Sequence, residues 1–322
     1  MIPSLGKGRA CAFAALAVLV SACKDDTGSK AVMAEQAKPL HRFDHLQSAV
    51  YGHGHLVAVG AFGTVVTSED DGKTWRRLNL PDAPGLIKVA TCGEGSFAAL
   101  DFDGVLWTAP AAAMDWQSAK TPAKDALLDM ACAPDGRVWV VGARGAIFSS
   151  ADKGKTWTDK SLDEDIQLLN VQFPAMGQGV ITGEFGRVMA TSDNGATWGT
   201  VGSLGQDFYP QGQDFKDALH GTVVGLSGAV LDTADGGKTW VRSKAPTEAP
   251  LYGVRSLSDG RTVVVGAAGV GFLRAADGTW QALGKLPMAD QRGIAATSEH
   301  LILAGTGGVT ALALSSLPAA SK

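Results

Sequence analysis

Four aspartates stand in one repeated phrase, and the chemistry open to them decides how the rest of the chain is read. Ser68-Glu69-Asp70-Asp71-Gly72-Lys73-Thr74-Trp75 recurs as Ser150 to Trp157, and with threonine first as Thr191 to Trp198 and Thr233 to Trp240. Carboxylates that work as an acid–base pair must share one site. Asp70, Asp152, Asp193 and Asp235 instead stand one per repeat, each beside a hydroxyl, a glycine and a tryptophan. That company suits a hairpin turn. Hydroxyl and carboxylate oxygens accept nearby backbone N–H groups, and glycine supplies a positive φ. The indoles of Trp75, Trp157, Trp198 and Trp240 are left to pack between repeats. The expected role of these carboxylates is structural.

The other reactive side chains are few. His53-Gly54-His55 offers two imidazoles, but no third ligand stands at metal-binding spacing, so no metal is expected. Cys92 and Cys132 occupy matching places, 24 and 25 residues before Trp116 and Trp157. They are read either as a disulfide in an oxidising compartment or as two small buried thiols. Cys23 ends the run Val20-Ser21-Ala22-Cys23, which resembles the bacterial lipobox. Before it come Lys7, Arg9 and the apolar stretch Ala10–Val20, too short for a membrane span of ~20 residues but suited to a signal-peptide core. Residues 1–22 are thus expected to be removed and Cys23 lipidated. The polar stretch 23–38 reads as a flexible tether. Lys24 follows the cysteine where an aspartate would signal inner-membrane retention, which points to a periplasm-facing lipoprotein of the outer membrane.

These residues must be positioned by a repeat. Trp75, Trp116, Trp157, Trp198, Trp240 and Trp280 recur every 40 to 42 residues, the period of propeller blades. A second ladder, V/T-G-x-x-G, precedes the first at Val59–Gly63, Val141–Gly145, Thr182–Gly186, Val224–Gly228 and Val265–Gly269, with a further copy at Ala304–Gly308. Each lies between apolar runs of strand length and reads as a tight turn. The second copy, Asp101 to Trp116, keeps its tryptophan and loses the aspartate phrase; the sixth is shortened to Ala275–Trp280. The expected fold is all-β: a seven-bladed propeller of four-stranded blades over 39–318. The seventh blade has three strands in its own sequence, so the segment near Pro39–His45 is expected to add the fourth and close the ring.

Composition narrows the function. The 322 residues are 45% hydrophobic and carry a formal charge of −4 with no basic stripe, which speaks against nucleic acid. No phosphate loop, nucleophile elbow or paired metal motif occurs, and neither an enzyme nor a cofactor is expected. On a propeller, the G-x-x-G turns and blade-to-blade loops share one face. That face presents Phe62, Phe102, Arg144, Phe185 and Arg187, with Phe208 and Tyr209 in the longest loop, a composition suited to protein binding.

The aspartate phrase is similar to the Asp-box, the bacterial neuraminidase (BNR) repeat. Asp-boxes preceded by G-x-x-G turns, as in Val59 to Trp75 and Val224 to Trp240, resemble the photosystem II stability and assembly factor family over about residues 40–315. The resemblance implies a monomeric, non-catalytic luminal or periplasmic propeller that holds a newly made membrane protein. It also implies a positive patch on one face. Arg144 and Arg187 lie in adjacent blades, but no continuous arginine cluster is present. In non-photosynthetic bacteria the implied role is accessory to other envelope complexes, among them lipid-exporting transporters of the resistance-nodulation-division type. The alternative is a sialidase-like glycosidase or glycan-binding propeller. Sialidase chemistry calls for an arginine triad and a tyrosine–glutamate pair. The chain has only Tyr51, Tyr209 and Tyr252, and no Arg-Ile-Pro phrase.

Overall fold

The computed structural model describes residues 26–317, which fall into two units divided at Lys38 and Pro39. The first contains an α-helix, Asp26–Gln36, where a flexible tether was expected. Its run Ala31-Val32-Met33-Ala34-Glu35-Gln36 is rich in helix formers, and low hydrophobicity alone does not exclude a helix.

The second unit consists of seven antiparallel sheets, each read outward in chain order. Blade 1 comprises Leu46–Gly52, His55–Gly60, Thr64–Ser68 and Arg76–Asn79. Its second strand is buried along almost its whole length, and those of blades 2, 3, 5 and 6 are buried throughout. A strand with a neighbouring blade on each side needs apolar residues on both faces, hence unbroken runs such as Val138-Trp-Val-Val-Gly142. Outer strands face water and are short and polar, as in Arg76–Asn79 and Val241–Lys244.

The core is divided in the same way. Seven apolar clusters fill the seven gaps between adjacent blades. The last gap, between blades 7 and 1, is filled by Leu46, Ala49, Leu56, Ala58 and Val66 against Ala295, Ile302 and Ala304. Polar stitches reinforce the inner strands: Asp129 accepts the Val171 N–H at 2.8 Å, Gln172 accepts the Phe215 N–H at 2.8 Å, and Asp214 accepts the Ser256 N–H at 2.7 Å. Cys92 and Cys132, 5.0 Å apart at Cα, form a disulfide between blades 2 and 3.

Six sheets have four strands; the seventh has three, Gln291–Ala296, His300–Gly305 and Gly308–Ala313. The fourth strand expected from Pro39–His45 is not formed. That segment turns instead. The Asp44 carboxylate accepts the His41 N–H at 2.9 Å and both terminal nitrogens of Arg77 at 2.9 Å, while Arg77 also reaches the Pro39 carbonyl. A carboxylate that folds its own chain segment competes with strand pairing. The segment does supply the blade-to-blade bond. Gly308 N–H donates to the Asp44 carbonyl at 3.1 Å, as Gly145 does to Ile166 and Gly228 to Ala249.

Candidate functional site

The Asp-box turns occupy one face of the ring. In blade 1, Asp70 accepts from the Ser68 hydroxyl (2.8 Å), the Thr74 N–H (2.8 Å) and the Thr74 hydroxyl (2.7 Å). The Ser68 hydroxyl in turn accepts the Gly72 N–H, and the Trp75 indole donates to the Gly72 carbonyl. Asp152, Asp193 and Asp235 repeat the carboxylate pattern. These bonds hold all four carboxyls at a pKa of about 2, led by the threonine donors. Trp157 and Trp240 repeat the indole bond, whereas the Trp198 nitrogen is buried without a partner, its ring packed edge-on against Trp139 and Phe173. In blade 2 the equivalent turn, 110–116, lacks the aspartate and keeps only the indole bond, from Trp116 to the Ala113 carbonyl at 2.9 Å.

The same face carries His53, whose ring bonds the Cys92 carbonyl at 2.9 Å, and His55, 4.0 Å from Glu69. No group of three metal-ligating side chains occurs among the described residues.

The opposite face is made by the G-x-x-G turns. In blade 1 the Thr64 N–H returns to the Ala61 carbonyl across Phe62 (φ 58°) and Gly63 (φ 66°), a type I′ turn. Arg144 and Phe185 hold the same left-handed position in blades 3 and 4, at φ 56° and 57°. This conformation costs a side chain with a Cβ about 1–2 kcal/mol. Phe62, Phe102 and Phe185 are nonetheless 75%, 70% and 66% exposed. Arg144 is also exposed, with Asp125 and Asp165 each no nearer than 3.9 Å. Blades 1 to 4 thus present Phe, Phe, Arg and Phe in succession. Blades 5 and 6 carry Ser227 and Ala268 at that position.

Three residues expected on this face are placed otherwise. Phe208 is 3% exposed and packs in the cluster between blades 4 and 5, because Gly205 (φ 96°) turns the loop so that the ring points inward. Tyr209 is half-buried, its hydroxyl donating to Gln167 at 3.4 Å, and burial with nearby Glu184 raises its pKa. Arg187 is held by Glu164 at 2.7 Å and is not a free cation. Conversely, Leu226 (half-exposed) and Met288 (fully exposed) lie in turns of this face and were not expected there. Leu226 occupies the first x of its G-x-x-G, and Met288 follows Pro287 in the blade 6–7 connection.

Between the faces runs a central cavity of about 510 Å³, lined by the first strands of all seven blades and by Phe102. Lys88 bonds Asp129 at 2.7 Å inside it, and Arg255 approaches Asp214 at 3.4 Å. Cys23 lies outside the described residues. No helix among the described residues is long and apolar enough to cross a membrane.

These features define the class: a seven-bladed BNR/Asp-box β-propeller. Residues 108–206, about a third of the chain, match the family described as Photosynthesis system II assembly factor YCF48. Among solved structures it is similar to YCF48 from Cyanidioschyzon merolae, at 15% identity and a TM-score of 0.67, covering 85% of this chain and 96% of that one. A structure of YCF48 bound to D1 peptide matches to the same extent. Virginiamycin B lyase from Staphylococcus aureus, an enzyme, is similar at 13% identity and a TM-score of 0.73, with 85% and 96% covered. At such identities the likeness concerns the fold. No curated protein matches the chain.

Proposed function

We propose that this chain is a non-catalytic assembly or accessory factor that binds a membrane-protein complex of the cell envelope through its G-x-x-G face. The observation that carries the reading is the arc of Phe62, Phe102, Arg144 and Phe185 on four consecutive blades. Three phenylalanines stand in water, two of them with Arg144 in a backbone conformation that disfavours them. The left-handed backbone belongs to the turn, since Ser227 and Ala268 share it, whereas exposed aromatic surface on consecutive blades favours a binding site. The YCF48 structure bound to D1 peptide supports the class of partner, a segment of a membrane protein.

In this reading Cys23 carries the lipid anchor. The propeller works as a monomer facing the periplasm, from the outer membrane rather than the inner. A resistance-nodulation-division-type transporter is the client class we favour. Glycoside hydrolysis finds no support in the Asp-boxes. Carboxyls with a pKa of about 2, engaged in their own turns, hold no proton to donate at neutral pH.

The test is crosslinking in intact cells, with affinity purification and mass spectrometry of wild type and of a Phe62→Ala/Arg144→Ala/Phe185→Ala variant. One dominant membrane complex, lost in the variant at unchanged Tm, supports the proposal. Recovery of the same complex with both proteins refutes the assigned face.

A further inference from the structure

Every first strand of the ring is bulged at one equivalent place. The register slips between Leu86 and Lys88 in blade 2, between Leu168 and Asn170 in blade 4 and between Leu251 and Gly253 in blade 6, and likewise in the other four. A bulge leaves one residue unpaired and re-aims its side chain. All seven extra residues line the central cavity. In blades 2, 3 and 4 they are Ile87, Leu128 and Leu169, on the side where Phe102 also reaches the cavity. In blades 5, 6, 7 and 1 they are Gln211, Tyr252, Arg292 and Gln47. The mouth is apolar along one arc and polar along the other.

The polar arc is unspent. Gln47, Gln211 and Tyr252 make no side-chain hydrogen bond within the described residues, and all are partly open to solvent. Of the cavity's three cations, Lys88 and Arg255 are paired with its two carboxylates, Asp129 and Asp214. Arg292 has no carboxylate partner among the cavity's own lining residues. Its guanidinium stacks on the Tyr252 ring, 4.3 Å from the centroid, and the nearest carboxylate, Asp290, is 3.7 Å away and already accepts the Ala268 N–H. The stacking presents the guanidinium as a rigid fork, the form that best receives a carboxylate.

We infer that the central cavity is a binding site for a small amphipathic carboxylate, with its apolar body against Ile87, Leu128, Leu169 and Phe102 and its anionic head on Arg292. A volume of about 510 Å³ lies within the range of small-ligand pockets, and a wall divided between an apolar arc and a polar one suits a ligand that is itself amphipathic. The site shares Phe102 with the client-binding arc, but it needs neither Phe62 nor Phe185 and no protein partner, so the two readings can fail independently.

The probe is 4-phenylbutyrate, titrated by calorimetry into the full chain in detergent micelles with empty micelles as reference. Two relatives complete the set: 4-phenylbutanol lacks the charge, and butyrate lacks the ring. Saturable 1:1 binding of 4-phenylbutyrate is expected, at least tenfold tighter than either relative. Arg292→Gln should weaken it tenfold or more, and Arg292→Lys should retain most of it. Leu128→Gln should weaken the phenyl ligands and leave butyrate unchanged; because both Arg292 variants keep an unaltered apolar arc, a folding defect in Leu128→Gln does not decide the result. Absence of saturable binding, equal binding of alcohol and acid, or binding indifferent to Arg292→Gln would each overturn the inference.

Discussion

Replacing Gly195 by alanine tests whether the Asp-box turn works by wedging one blade against its neighbour. Gly195 stands in the third Asp-box at φ 75°, and a Cβ built there would lie 2.2 Å from the Trp139 ring. Trp139 is 1% exposed and packed between Phe173 and Trp198, so its ring cannot swing away. Two costs add. The left-handed backbone costs alanine about 1–2 kcal/mol, and forcing a methyl into a filled core costs about 1–3 kcal/mol. Gly278 in the shortened sixth repeat is the matched control: its φ is 87°, and a Cβ there meets nothing within 4 Å. Gly278→Ala therefore carries the backbone cost alone. Thermal unfolding followed by tryptophan fluorescence should show a loss on the order of 5–10 °C for Gly195→Ala and roughly 3 °C for Gly278→Ala. Equal losses would refute the wedge and reduce the glycine's role to its φ.

Two further outcomes are expected. The hydrogen bonds from threonine and serine hold the Asp-box carboxyls at a pKa of about 2 in the fold, below the 3.8 of an unperturbed aspartate. A depressed folded pKa gives stability that is complete above about pH 4 and lost as pH falls toward 2. A Tm profile from pH 6 to 2 should steepen below pH 4, and Asp193→Asn should flatten that part. The Cys92–Cys132 bond closes a loop across 40 residues of sequence, so Cys92→Ser/Cys132→Ser should cost about 4 kcal/mol in denaturant unfolding. Neither thiol should react with Ellman's reagent before reduction.

The blades were legible because each carries its own punctuation. A tryptophan every 40 to 42 residues locates all six full repeats, a G-x-x-G one strand earlier marks five of them, and the Asp-box bonds are those its residue types call for. Exposure of Phe62, Arg144 and Phe185 follows from their place in two-residue turns, and that of Phe102 from the three-residue turn 102–104. Phe208 was not legible: whether a ring in a long loop faces water or the blade gap depends on one glycine dihedral, at Gly205. The bulges left no trace either. A slip of one residue next to Leu86 or Leu251 leaves the apolar pattern of both strands intact, so composition alone cannot reveal that Ile87 and Tyr252 face the cavity. The missing fourth strand of blade 7 depended on Asp44 and Arg77, 33 residues apart, which only the fold brings together.

The seam between blades 7 and 1 also sets how the ring bears load. Neighbouring blades 2 and 3 are joined covalently, and the inner strands of blades 3 to 6 are stitched by Asp129, Gln172 and Asp214. Among the described residues the seam has an apolar cluster, the backbone bond from Gly308 to Asp44 next to the point where the chain enters the ring, and the exposed Lys73–Glu299 ion pair at 3.4 Å, which holds little. Tension applied through the N-terminus therefore arrives first at the joint with the fewest fasteners. Under force the ring should part there like a split washer, with the disulfide-joined blades the last to separate.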